Sequence, residues 1–218
     1  MRVILFGTTG MVGQGVLREC LLAPDVERVL SIGRNASGQA HPKFREIVRP
    51  NLLDYSDIEP DLTGYDACFF TLGVSSAGMK EDDYRRITYD VTLAAARTLA
   101  RLNVDLTFVY VSGAGTDSSE QGRIMWARIK GKTENDVIKL VKSGYAFRPA
   151  AIIPEHGIQS RTPLYRISYK LLAPVVPLLA GRFPKYVTTT TQLAKAMLTV
   201  ARHGASKRVL ESADINAL

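Results

Sequence analysis

Short apolar runs alternate with longer amphipathic stretches over most of this chain. RVILFG (2–7) reads as a buried strand and Gly10 to Leu22 as a helix. RVLSIGR (28–34) is a second strand, FREIVRPNL (44–52) a third with alternating character, and ACFFTLG (67–73) a fourth. Asp82 to Leu102 has the period of a long helix. LTFVYVSG (106–113) is a fifth strand, Arg123 to Lys142 a further helix, and YAFRPAAIIP (145–154) a sixth strand. Strands apolar on both faces must be covered on both faces, which is the habit of parallel sheets. The pattern therefore predicts an α/β protein, a doubly wound parallel-sheet Rossmann fold.

After Pro154 the rhythm changes. EHGIQSRTP (155–163) is polar and turn-rich, and LYRISYKLLAPVVPLLAG (164–181) has helical period broken by prolines. YVTTTTQLAKAMLTVARHG (186–204) reads as a short strand, a threonine cap and an amphipathic helix closed by Gly204. KRVLES (207–212) reads as an edge strand.

Composition narrows the class. The chain has 218 residues, 46% hydrophobic and 22% charged, enough for one globular domain with a real core. The formal charge of +7 suits an anionic ligand, but the cations are scattered with no run of five. Nucleic acid is therefore not expected. The two cysteines, Cys20 and Cys68, form no CxxC pair, so zinc is not expected either. Their apolar settings fit a reducing compartment, and the expected location is cytoplasmic; one disulfide between them stays open. The N-terminal apolar run is too short for a signal peptide. LLAPVVPLLAG (171–181) is too short for a transmembrane span.

The candidate chemistry begins at FGTTGMVGQG (6–15), where Gly7, Gly10 and Gly13 lie between a strand and a helix. Gly7 permits the tight turn, Gly10 lets the backbone approach a pyrophosphate, and Gly13 lets helix and strand pack closely. The helix N-terminus then offers N–H groups and partial positive charge to the phosphates. The second strand ends at Arg34, where NAD-preferring folds often carry an acid for the ribose 2′-hydroxyl. A guanidinium pairs instead with a 2′-phosphate, so NADP(H) is favoured, with NAD(H) the alternative.

Four pieces, GTTGMVGQG, CFFTLGVSSAG, VYVSGAGTDSS and WARIKGKTENDV, occur in that order between residues 1 and 154. They resemble the atypical short-chain dehydrogenase/reductase superfamily in its NAD(P)-binding, epimerase-like form, and within it the HIV Tat-interacting, oxidoreductase-like branch. The resemblance implies a phosphate loop at Gly7, Thr9, Gly10, Met11, Val12 and Gly13, with Arg34 at the 2′-phosphate. It implies Asn51 and Leu52 at the adenine, and Thr71, Leu72 and Gly73 along the cofactor. Tyr89, Asp90 and Val91 fall where the family's central helix faces the nicotinamide side. Ser112 matches the catalytic serine, Lys130 the catalytic lysine, and Pro149 the motif proline of the strand end that meets the nicotinamide amide. Residues 1–154 would be the NAD(P)-binding domain, and 155–218 a substrate lobe with closing elements of the same domain.

One position breaks the pattern. The family acid is a tyrosine four residues before the lysine, and here that residue is Trp126. An i, i+4 spacing keeps Trp126 and Lys130 on one helix face. An indole N–H donates a hydrogen bond but does not titrate. Three readings follow: a reductase or isomerase whose proton comes from Tyr89, Tyr84, Lys130 or a water; a non-catalytic NAD(P)-responsive regulator; or hydride transfer to an acceptor that needs little acid catalysis.

Other signals have blander readings. Gly131-Lys132-Thr133 imitates a phosphate-loop ending, but position 126 is not glycine and the segment is helical. Lys132 and Glu134 are read as a solvated helix face. His156 follows the sixth strand and is read as a loop histidine ahead of a substrate-side acid or base. Ser75 and Ser76 lie in a small-residue loop that suits phosphate or ribose contact or a flexible lid. Between Gln159 and Lys185, basic and aromatic residues among apolar ones suit an acidic or aromatic small-molecule substrate or a membrane-surface or protein-partner face, and the apolar excess leaves room for a homodimer interface.

Overall fold

The computed structural model describes residues 1–158 and 185–218. Its centre is a parallel sheet of seven strands in the order β3-β2-β1-β4-β5-β6-β9. These are β1 (Arg2–Phe6), β2 (Arg28–Gly33), β3 (Phe44–Val48), β4 (Ala67–Phe70), β5 (Thr107–Val111), β6 (Ser143–Arg148) and β9 (Val209–Glu211). β7 (Ala151–Ile153) and β8 (Val187–Thr189) pair separately, also in parallel. The helices are α1 (Met11–Leu22), α2 (Glu81–Arg85), α3 (Val91–Leu102), α4 (Met125–Leu140), α5 (Thr190–His203) and α6 (Ser212–Asn216).

Side chains alternate across the strands as the pleat requires. Val3 and Leu5 point to one face, under α1 and α5, with Val16, Leu193 and Met197. Ile4 and Phe6 point to the other, under α3 and α4, with Phe70, Phe108, Leu99 and Val137. Phe6 stacks on Phe70 at 4.9 Å and Phe70 on Phe108 at 5.9 Å, which links three strands edge to edge. Each such side chain removed from water contributes about 1.5–3 kcal/mol. Cys20 and Cys68 are free, buried, and on opposite faces of the sheet. The structure therefore closes the disulfide option.

Strand order reverses at β1 and β4. The chain leaves β1 towards β2 on one side, and β4 joins β1 on the other. Loops following those two strands diverge and open a crevice at the strand C-terminal ends.

Four elements differ from the sequence pattern. The expected long helix from residue 82 is two helices joined by a wider π-helical turn, Arg86–Asp90. The expected sixth strand is split into β6 and β7. Pro149 has no N–H for the ladder, and the Ala150 N–H turns to Ser212 Oγ at 2.7 Å. A 3-10 turn, Ser56–Leu62, and the short α6 carried no strong periodic signal. The threonine cap stands as expected, with Thr189 Oγ1 accepting from the Gln192 N–H at 3.0 Å. The proline-interrupted stretch assigned to a substrate or dimer surface falls at 159–184, outside the described residues.

Candidate functional site

The crevice is built first by a glycine contact. Gly7 adopts φ +90, and a Cβ there would lie 2.7 Å from the Leu72 backbone nitrogen. A Cβ on Gly13 would lie 2.0 Å from the Gly7 carbonyl oxygen. Only glycines allow the loop, α1 and the start of the β4 loop to meet this closely. The Gly10 N–H donates to Gly7 O at 2.9 Å, closing the turn. Thr71 Oγ1 donates to Phe6 O at 2.6 Å, and the Thr8 and Ser31 hydroxyls share a hydrogen bond of 2.8 Å. Gly10 caps α1 without a side chain, so the first-turn N–H groups, from Met11 onward, have no side-chain acceptor. That is the anion-binding arrangement of a helix start. A cavity of about 270 Å³ lies here, lined by Gly7, Thr9, Gly10, Arg34, Thr71, Leu72 and Gly73.

A second cavity of about 220 Å³ adjoins it through Arg34 and Leu72. Its walls include Asn51, Leu52, Leu53, Arg86, Ile87 and Val91. Asn51 is held by its own neighbours: its Oδ1 accepts from the Leu53 N–H at 2.9 Å, and its carbonyl from Arg49 Nε at 2.8 Å. Arg86, on the π-helical turn, was not singled out by sequence; an exposed arginine in a polar helix carries no signal of its own.

The third cavity, about 460 Å³, lies where Val12, Thr71, Gly73, Ser112, Lys130 and Pro149 converge from five separate segments. Lys130 Nζ donates to the Ser112 carbonyl. Burial pushes the Lys130 ammonium down to about 8, opposed by the nearby Glu134 carboxylate. The Ser112 hydroxyl donates towards Glu134 and towards the Phe147 carbonyl at 3.1 Å. The Pro149 carbonyl accepts from the Ala114 N–H at 3.0 Å, which holds the strand end against the serine loop.

Glu134 corrects the solvated-face reading. It is completely buried and ion-paired with Arg148. Arg148 also reaches Ser118 Oγ at 2.5 Å and Glu211 at 3.2 Å. Glu134 lies one helical turn beyond Lys130, so it shares the inward face; that spacing was the signal available in sequence. Lys132 is half-exposed and pairs with Asp136 at 3.0 Å. Gly131 is explained by packing: a Cβ there would lie 1.8 Å from the Asp117 carbonyl, so the resemblance to a phosphate loop is incidental.

The two tyrosines named as proton sources are committed elsewhere. Tyr84 is buried, and desolvation raises its phenol. The Tyr89 hydroxyl donates to Asp136 at 2.6 Å, and desolvation together with that carboxylate raises it too. Trp126 sits in the first turn of α4 with Lys130 one turn on. Its ring packs towards Gly115, where an added Cβ would be 3.4 Å from Cη2. It does not line the cavity of Ser112 and Lys130. His156, at φ +55, lines a cavity of about 600 Å³ with Arg18 and His41 that meets the glycine loop at Thr8 and Thr9 and does not include Ser112. No group of His, Cys, Asp and Glu among the described residues could hold a metal. No described helix is long and apolar enough to cross a membrane.

No family model matches this chain. "Protein FMP52, mitochondrial" of Meyerozyma guilliermondii is 25% identical over 204 residues, covering 92% of this chain and 85% of that protein. "Protein FMP52-2, mitochondrial" of Scheffersomyces stipitis is 29% identical over 139 residues, 62% of this chain and 59% of that one. Among solved structures, the UDP-N-acetylglucosamine 4-epimerase of Methanobrevibacter ruminantium superposes with a TM-score of 0.70 at 17% identity, over 96% of this chain and 74% of the enzyme. The dTDP-glucose 4,6-dehydratase DesIV of Streptomyces venezuelae, solved with NAD bound, gives 0.68 at 16% identity and the same coverage. The fold is that of the NAD-binding epimerases and dehydratases. The cytoplasmic expectation is corrected by the relatives, several of which are named mitochondrial. Buried free thiols had suggested only a reducing setting, and that does not distinguish compartments.

Proposed function

We propose that the protein binds a nicotinamide dinucleotide, NADP(H) in preference to NAD(H), and acts as an oxidoreductase of the atypical short-chain dehydrogenase type with Trp126 in place of the family tyrosine. The observation that carries this reading is one continuous crevice. A glycine cradle that any Cβ would fill stands at one end, and Ser112, Lys130 and Pro149 stand at the other. A bound dinucleotide would supply hydride chemistry. The first-turn N–H groups of α1 would hold its pyrophosphate, and Arg34 its 2′-phosphate.

Lys130 is the titratable side chain lining the third cavity. With its ammonium near 8, it is protonated at neutral pH yet able to release a proton, which suits a general acid. Ser112 has one hydroxyl hydrogen, and both partners of that hydrogen are acceptors behind the cavity wall. Its oxygen therefore offers lone pairs to a ligand, and the donor is Lys130, directly or through a water. Residues 155–218 would contribute the substrate side. The names of the relatives favour a mitochondrial setting.

The alternative is a non-catalytic NAD(P)-responsive protein. It draws support from Trp126, whose indole neither titrates nor lines the cavity. Calorimetric titration with NADPH and NADH, followed by turnover with carbonyl and quinone substrates, separates the readings. We expect NADPH to bind more tightly, and Arg34→Ala to erase the difference. Turnover gained in Trp126→Tyr supports the enzyme, whereas saturable binding with no turnover in either form supports the regulator. Absence of binding by both dinucleotides would sink both.

A further inference from the structure

Two guanidinium groups face one small cavity without an acid to neutralise them. Arg34 leaves the end of β2, and Arg86 sits on the π-helical turn across the crevice; both line the cavity of about 220 Å³. Neither forms an ion pair with a described residue, whereas nine other arginines among the described residues do. Among the described residues, no Asp or Glu lines that cavity. The remaining wall is apolar, from Leu52, Leu72 and Val91, with the Asn51 amide at the rim. A small cavity with apolar lining and two guanidiniums that have no ion-pair partner among the described residues suits an apolar-faced ring carrying a doubly charged anion. Carboxylates would have been the economical partners for two exposed arginines so placed, and their absence leaves the positive potential directed into the cavity.

The turn that carries Arg86 adds a second, independent mark. A π-helical turn interrupts an otherwise continuous helix and widens it by one residue, an arrangement frequent at functional positions. The residues before and after it, in α2 and α3, keep ordinary helical dihedrals at their junctions, so the widening is confined to Arg86–Asp90. Arg85, its neighbour, is held by Asp90 at 3.6 Å and lies over the Tyr89 ring at 5.2 Å. Arg86 is thereby left as the cation of this turn that is directed to the cavity.

We propose that Arg86 is a second specificity-determining residue of the dinucleotide site. Its guanidinium and that of Arg34 close on the phosphate monoester of a 2′-phosphoadenosine whose purine lies between Leu52, Leu72 and Val91. The inference rests on the reading of the crevice as a dinucleotide site, and it assigns a role to a residue on a different element from the phosphate loop. Two guanidiniums from opposite walls bind a doubly charged phosphate through paired donors, which a single arginine cannot match.

The test is calorimetric titration of the full chain, wild type, Arg86→Ala, Arg86→Lys and Arg34→Ala, with 2′,5′-ADP, 5′-AMP, NADPH and NADH. Arg86 is exposed and unpaired, so the variant is expected to keep the wild-type melting temperature. The expected result is a loss of tenfold or more in affinity for 2′,5′-ADP and NADPH in Arg86→Ala. 5′-AMP and NADH should change by less than threefold, and Arg86→Lys should fall between. Unchanged NADPH affinity, or equal losses for NADPH and NADH, would overturn the proposal while leaving the dinucleotide site standing. Wild type that binds none of the four overturns the underlying reading instead.

Discussion

Lys130 carries the sharpest consequence at the scale of one residue. Burial lowers its ammonium from 10.5 to about 8. The folded state therefore binds fewer protons than the unfolded chain between those two values, and stability rises with pH across that window. The gain is at most roughly 1.4 kcal/mol per pH unit. Below about 8 both states hold the proton, and the buried charge is a standing cost. We expect Lys130→Met to be more stable than wild type at pH 7 and to lose the gain between pH 8 and 10.5; denaturant titrations across that range measure it. A flat wild-type profile would contradict the burial of the ammonium. If Lys130 is the proton donor, the rate of carbonyl reduction should also fall as pH passes through about 8.

At the scale of elements, the decisive contact joins α4 to β6. Glu134 from the helix and Arg148 from the strand meet out of water, and Arg148 continues to Glu211 at the head of α6. Removing one partner strands a buried charge, at a cost of about 3–5 kcal/mol. Glu134→Ala and Arg148→Ala should each cost that much, and the double variant should cost clearly less than the sum. Additive losses in a double-mutant cycle would mean the two side chains act separately. This pair also shows where sequence reading stops. Strand and helix positions came from local periodicity, and the glycine loop from its place between them. The burial of Glu134 depends on Arg148, which a strand pattern marks only as a charge in an apolar run. Pro149 likewise signalled a motif and removes an N–H from the ladder, but the acceptor of the next N–H, Ser212 Oγ, comes from the far end of the chain. Arg86 was invisible because the wider turn that presents it has no periodic signature.

Across the whole molecule, the three cavities lie along the crevice opened by the reversal of strand order, so one ligand would touch both halves of the sheet. Binding to the folded state alone stabilises it by about 2.7 kcal/mol at a hundredfold excess over Kd. For a chain of this size that corresponds to a rise of roughly 5–10 °C in Tm. Thermal denaturation with and without NADPH measures it, and no shift at saturating concentrations would argue against a dinucleotide ligand. The reading of a Rossmann fold needed only the alternation of apolar strands and helices. The roles expected of Ser112, Lys130 and Trp126 came from the resemblance; that Ser112 and Lys130 line one cavity and Trp126 does not needed the structure.

The contact between α1 and α5 has a consequence for the order of events during synthesis. Gly15 of α1 lies so close to Thr190 that an added Cβ would come within 2.8 Å of the threonine Cβ. The helix that begins at the glycine loop therefore rests on a helix the ribosome makes long afterwards. Until residues 190–203 emerge, the side of α1 turned towards α5 has no cover, although its packing on the sheet and the contacts of Gly7 with Gly13 and Leu72 can already form. A nascent chain thus carries the whole glycine motif early and gains the outer cover of its helix late.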